Sequence, residues 1–360
     1  MKTSDFFFEL PQNLIAQFPP PQRGQSRLMT LDRSTGKIKH CMVNDLPCIL
    51  SGDSFLSPCG EKPLLVFNNT KVRKARLFGK HEHTGAESEF LLLEKENDDC
   101  TIWKTMSKHV RRKKAGNIYI FFDNEGRQTA KAVVIGTEDS YLLLEFDQVI
   151  NDEWLDRYGH IPLPPYIKRN DNPDDAQCYQ TVYARQTGSV ASPTAGLHFT
   201  NETLEKNTSA GIESVYITLH VGLGTFLPVR SENVEDHVMH EEQFFITDET
   251  AAVIEKAKIN KRKIISVGTT SLRTLESAFT DEGIKRGEQS TSIFIYPPYK
   301  FKTADALFTN FHTPLSTLLM LVSAFADGAF DGRELILEAY AQAIKEKYRF
   351  FSYGDAMLIY

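Results

Sequence analysis

The chain has 360 residues, 41% hydrophobic and 24% charged, which is the composition of a globular protein with enough apolar material for about two domains. Its 41 Lys and Arg against 47 Asp and Glu leave a formal charge of −6, so no basic field covers the whole molecule and a polyanion would need a local patch. Five scattered cysteines without a CxxC pair argue against a zinc ribbon or a secreted disulfide framework, and no apolar run approaches the ~20 residues that span a bilayer, so the expected compartment is the cytoplasm.

At the start of the chain Asp5 and Glu9 flank Phe6-Phe7-Phe8, a pattern unlike a signal peptide. LLVF (Leu64–Phe67) reads as a continuous apolar strand suited to a main sheet. Residues 71–150 then change character: ESEFLLLEK, NIYIFF, TAKAVVIG and YLLLEF are short β-rich runs separated by turns such as Asn124-Glu125-Gly126. Their near-regular spacing predicts a small barrel or closed sheet. IPLPPYI (Ile161–Ile167) is a stiff re-entry segment.

From about residue 200, helices and strands alternate. Thr200 caps a predicted helix that ends near Gly211, and ESVYITLHV follows as a strand. Asp248 opens a second helix leading to IISV, and a third begins at about Thr270 with Leu272, Leu275 and Phe279 on one face. SIFIY is the next predicted strand, Pro314 sits in the first turn of a further helix, and Asp331 with Glu334 is spaced as a capping box. The expected fold is therefore α/β: a discontinuous α/β domain from residues 1–70 and 151–360, interrupted by an all-β, barrel-like insertion at 71–150.

The junction ISVGTTSLRTLES is the clearest site-like feature. A buried strand ends at Gly268, and Thr269, Thr270 and Ser271 then open a helix whose free amides and dipole favour an anion; Arg273 adds a bidentate donor. The same hydroxyls also serve as ordinary caps. HVGLGTF carries Gly222 and Gly224 after a strand but lacks the GxGxxG pattern, so it reads more readily as a structural turn, although its glycines also let backbone approach a ligand. His198, His220 and His312 lie in glycine- or turn-rich segments, where a near-neutral imidazole can move protons or merely hold the structure. His237 and His240 in EDHVMHEE lack the HExxH order of a zinc site, so no metal is expected. Lys108, Arg111, Arg112, Lys113 and Lys114 stand in a run with no acidic residue, either a solvated loop or a nucleic-acid contact; Lys71, Arg73, Lys74, Arg76, Lys80 and Lys104 add charge nearby.

Taken together, the motifs resemble one family, the S-adenosylmethionine:tRNA ribosyltransferase-isomerases of queuosine biosynthesis. The matching segments run nearly end to end: LIAQFPPPQRGQSRLM, LLVFNNTKVRKARLFG, LPPYIKR, YQTVYARQTGSVASPTAGLHF, ITLHVGLGTFLPVR, EDHVMHEE, ISVGTTSLRTLES, FIYPPYKF, TNFHTPLSTLLMLVSAFA and YRFFSYGDAML. The chain departs from the usual pattern at Ser192 (alanine), Pro298 and Asp327 (glycine) and Thr313 (leucine), none of them a histidine, arginine or hydroxyl given a role above.

The resemblance implies an α/β domain with an inserted β-barrel. It also implies transfer and isomerisation of the ribosyl group of S-adenosylmethionine onto 7-aminomethyl-7-deazaguanine at the tRNA wobble position, giving epoxyqueuosine-tRNA, adenine and methionine. S-adenosylmethionine is then a consumed substrate, and no metal or redox cofactor is expected. On that basis His198, His220 and His312 are candidates for proton transfer. Gly268, Thr269, Thr270, Ser271 and Arg273, with Gly222 and Gly224, are candidates for substrate binding, and Tyr179, Tyr183 and Phe199 for stacking or core packing. The basic run faces tRNA in this reading, and a monomer is expected because no coiled coil is evident. A methyltransferase using the same donor would instead yield S-adenosylhomocysteine, and a non-catalytic tRNA-binding protein would need only the basic run.

Overall fold

The computed structural model describes residues 1–138, 141–222 and 229–360. It divides into two compact units, one made of Met1–Lys71, Pro164–Arg169 and Cys178–Tyr360, the other of Val72–Leu163 and Asn170–Gln177. No helix among the described residues is long and apolar enough to cross a membrane.

The first unit is built on a nine-stranded mixed sheet. Four strands at its centre, Glu213–Leu219, Leu64–Asn68, Ile264–Val267 and Ala306–Asn310, are mutually parallel. Three of them are buried along their whole length, as predominantly apolar sequences are in a sheet covered on both faces. Beyond Ala306–Asn310 the order continues through Ala356–Ile359, Arg27–Asp32 and Lys37–Met42; beyond Glu213–Leu219 it continues through Glu242–Ile246 and Gly287–Thr291. One apolar core forms with the helices Thr317–Ala326 and Gly332–Lys345, and another gathers Phe67, Phe199, Phe308 and Tyr183. Thr200, Thr247, Ser316 and Asp331 cap their helices by accepting from the amide three residues on.

The second unit is a closed antiparallel barrel of six strands, in the order Tyr141–Phe146, Ile102–Ser107, Glu87–Lys95, Arg76–His81, Ile118–Phe122 and Gln128–Glu138. Burial alternates along Ile118–Phe122 and Gln128–Glu138, so Tyr119, Phe121, Ala132 and Val134 fill the interior with Phe90 and Leu142. The α/β fold with an inserted barrel is the architecture expected from the sequence.

Three details differ from expectation. Residues 151–163 and 170–177 belong with the barrel unit, because the helix Asp152–Tyr158 is held by Arg73 on Asp152 at 2.6 Å and by Lys74 on the Asp156 carbonyl at 2.7 Å. SIFIY is not a strand: the Glu242–Ile246 partner begins opposite Thr291, leaving no backbone for Ser292 onward to pair with, and Ile295 instead enters the core. The helix expected at Pro314 begins at Thr317, since Leu315 has φ +59° and a helix cannot run through that conformation.

Candidate functional site

In open α/β sheets, ligands bind beyond the carboxyl ends of parallel strands. A cleft lies there, open to solvent on one side. Its walls include Gly268–Thr270, Thr309–Thr313, Ser192–Ala195, Tyr166 and Ser352. Gly268 has φ +90°, a left-handed conformation that turns the chain from the strand Ile264–Val267 straight into the helix Thr269–Ala278. The start of that helix thus presents its positive dipole end to the cleft.

Two asparagines at strand ends organise the polar groups. Asn68 Oδ1 accepts from the amides of Leu219 and Thr70, while its Nδ2 donates to the Leu219 carbonyl and to Thr270 Oγ1 at 3.3 Å. It therefore continues the backbone ladder past the end of the strand and fixes the Thr270 hydroxyl. Asn310 Oδ1 accepts from Thr194 Oγ1 at 3.0 Å; its Nδ2 donates to the Phe351 carbonyl and to His198 Nε2 at 2.9 Å. Because a carbonyl only accepts, the Phe351 contact fixes which way this amide faces.

The three candidate histidines are separated. His312 lines the cleft, with Nε2 at 2.9 Å from Thr309 Oγ1, and burial pushes its pKa down to about 3. His198 lies behind Asn310 and lines a second cavity; burial, aided by the charges of Arg349 and Arg23, lowers it to about 3 as well. Both rings are neutral at pH 7. His220 lines neither cavity: its Nδ1 is 2.8 Å from Thr70 Oγ1, and a β-carbon at Gly188 would run into its ring.

Of the helix-start residues, Gly268, Thr269 and Thr270 line the cleft, but Ser271 is fully buried and its hydroxyl bonds the Val267 carbonyl at 2.9 Å. Arg273 does not line the cleft either. It is 3% exposed and meets Glu242, 4% exposed, as a close ion pair of 2.6 Å whose angle falls outside hydrogen-bond geometry. Glu242 Oε1 also accepts from the Gly222 amide at 3.1 Å, so two expected substrate contacts, Gly222 and Arg273, converge on a buried carboxylate. Gly224 lies outside the described residues. Tyr183 and Phe199 pack on Phe67 in the core, and Tyr179 packs edge-on against Tyr353; none of the three lines the cleft. Their rings are buried to build the unit, not presented for stacking. Among the described residues no group of three His, Cys, Asp or Glu side chains is placed to hold a metal ion.

The whole length of the chain fits one family. Residues 3–359 match the model of a queuosine biosynthesis protein family. The chain is 52% identical to the S-adenosylmethionine:tRNA ribosyltransferase-isomerase of Treponema denticola and 49% identical to that of Acetivibrio thermocellus, with all of each chain covered. The chain belongs to the queuosine biosynthesis protein family. It is similar to the crystal structure of S-adenosylmethionine tRNA ribosyltransferase from Thermotoga maritima, with a TM-score of 0.53 and 35% identity over 99% of this chain and 100% of that one.

In this member of the queuosine family the basic residues singled out from the sequence of the barrel unit differ in their surroundings. Arg73, Arg76, Lys80 and Lys104 are ion-paired, with Asp152, Glu89, Glu87 and Glu138 respectively. Lys108, Arg111, Arg112 and Lys114 are exposed and make no ion pair among the described residues. Lys113 departs from the expected run: it is buried, its ammonium donates to the Lys108 carbonyl at 2.5 Å, and burial lowers its pKa. It staples the loop instead of facing solvent.

Residue-by-residue reading had missed Asn68, Asn310, Thr194, Tyr166, Glu242 and Ser352. A usable signal existed for the asparagines, each of which ends an apolar strand. None existed for Ser352, which reaches the cleft from near the chain's end and bonds Tyr166.

Proposed function

We propose that the chain transfers and isomerises the ribosyl moiety of S-adenosylmethionine onto 7-aminomethyl-7-deazaguanine at the wobble position of tRNA, giving epoxyqueuosine-tRNA with release of adenine and methionine. S-adenosylmethionine is the consumed donor, and the protein acts as a monomer without a further cofactor. The observation that supports this most is the cleft at the strand ends, built from segments that all lie within an end-to-end family match.

A sulfonium acidifies the adjacent 5′ carbon. Loss of that proton gives an ylide that expels adenine, the aminomethyl group attacks the unsaturated sugar, and epoxide closure releases methionine. The route needs a proton acceptor and exclusion of water. His312 is the candidate acceptor within the cleft. Burial keeps its base form fully populated at neutral pH and also makes it a weak base, so the sulfonium must supply the acidity. The helix start at Gly268–Thr270 faces an electron-rich part of the donor. Lys108, Arg111, Arg112 and Lys114 form the phosphate-contacting face for tRNA.

The deciding experiment incubates the protein with S-adenosylmethionine and tRNA carrying the aminomethyl base, then analyses the small products. Free adenine and methionine with a ribosylated base are expected. S-adenosylhomocysteine with methylated RNA would establish a methyltransferase instead, and binding of tRNA without any product would leave only a binding protein.

A further inference from the structure

The α/β unit holds a second cavity, bounded by the 19–26 segment, Leu197–His198 and Ser352–Gly354. We propose that it is an oxyanion subsite, taking a carboxylate or a phosphodiester oxygen. Its two natural sources under the function proposed above are the methionyl carboxylate of the donor and a tRNA phosphate; only their naming rests on that reading.

Ser26, Arg23 and His198 are among the donors that line this cavity, and no carboxylate is among its described lining residues. Ser26 is 3% exposed, and its Oγ has no hydrogen-bond partner among the described residues. A hydroxyl buried in that state destabilises the fold unless a ligand completes it. Arg23 is held in place by donating to the carbonyls of Gln180 at 2.9 Å and Cys178 at 3.4 Å, contacts that orient its guanidinium. His198 accepts from Asn310 at Nε2, so its neutral ring carries the proton on Nδ1 as a third donor. Arg349, whose guanidinium donates to the Tyr353 carbonyl, adds positive potential that reaches His198. A cavity with a cation and two neutral donors favours an electron-rich, negatively charged group.

The two cavities are neighbours: Ser352 lines both, and Asn310 of the cleft touches His198 of the second cavity. Arg273, the clamp expected from sequence, is already engaged by Glu242.

The test is isothermal titration of the full chain with L-methionine, L-methioninol and inorganic phosphate, using wild type, Ser26→Ala and Arg23→Gln. Wild type is expected to bind methionine at least tenfold more tightly than methioninol, and each substitution is expected to weaken the anion by about tenfold. Ser26→Ala removes a hydroxyl without a protein partner, so its thermal midpoint should not fall; it remains interpretable even where Arg23→Gln folds poorly. Methionine binding assigns the subsite to the donor carboxylate, and phosphate binding without methionine assigns it to the nucleic-acid backbone. Binding of neither, equal binding of methioninol, or unchanged affinity in Ser26→Ala overturns the proposal. Ribosyl transfer is assayed on the same samples: wild type that binds anions through Ser26 but transfers no ribose sinks the proposed function alone, whereas active wild type with unaltered anion affinity in Ser26→Ala sinks the subsite alone.

Discussion

Asn310 Nδ2 lies 2.9 Å from His198 Nε2, and this one contact sets the tautomer of a buried imidazole. The same amide serves Thr194 and Phe351. Asn310→Ala strands the buried His198 Nε2 and removes one partner each from the half-buried Thr194 hydroxyl and from the Phe351 carbonyl, which keeps the Gly354 amide, and should cost about 1–3 kcal/mol in urea denaturation. Asn310→Asp cannot donate, so nitrogen NMR of His198 should show its proton moved to Nε2. A loss under ~1 kcal/mol in the alanine variant would mean that the network carries little of the local stability.

His312 is neutral in the fold with a pKa near 3, while the unfolded chain titrates it near 6.5. Between those values the unfolded state binds more protons, so stability falls as pH drops through that window. One such histidine accounts for about 2 kcal/mol lost between pH 7 and pH 5. His312→Gln should therefore shrink the pH dependence of the unfolding free energy by about that amount. Equal slopes for the two proteins would place the effect elsewhere.

The buried pair of Arg273 and Glu242 makes a stability prediction where the sequence had suggested a binding one. Arg273→Ala leaves Glu242 charged and buried, at an expected cost of about 3–5 kcal/mol. Arg273→Met with Glu242→Leu removes both charges and should recover most of the thermal midpoint. Should the single variant melt like wild type, the ion pair is not what holds this part of the sheet.

On the barrel unit, Lys108, Arg111, Arg112 and Lys114 form a run of exposed cations without an ion pair among the described residues. Changing all four to Gln should lower the slope of log affinity for tRNA against log salt by about 3, at ~0.7–0.9 per phosphate contact. Lys113→Gln is expected to act differently, lowering the melting temperature while leaving that slope in place, because its ammonium is spent on the Lys108 carbonyl. A slope unaffected by the fourfold change would return the run to a solvated loop.

Much of the fold was readable because its signals are local. Leu64–Asn68 and Ile264–Val267 announce themselves by unbroken apolar runs, and Thr200 and Asp331 by cap spacing. SIFIY misled because an apolar run has the same composition whether it pairs in a sheet or packs irregularly on a core; only the length of its would-be partner, Glu242–Ile246, decides. Pro314 misled for a related reason, since proline tolerates both a first helical turn and the segment before it, and the φ of Leu315 chose the latter.

The site divides along the same line. Gly268, Thr269 and Thr270 are neighbours in the chain, so a strand followed directly by a helix determines their common placement from sequence alone. What Arg273 does depends on Glu242, 31 positions before it, and whether His198 and His312 share a cavity depends on which side of Asn310 each one falls. Sequence determines most of the elements, the family and the residues at the start of the helix after Gly268, because those follow from short-range periodicity and motif order. Tertiary structure alone decides which charges are engaged and which donors are left facing a cavity, because hydrogen bonding and ion pairing act through space between segments far apart in the chain.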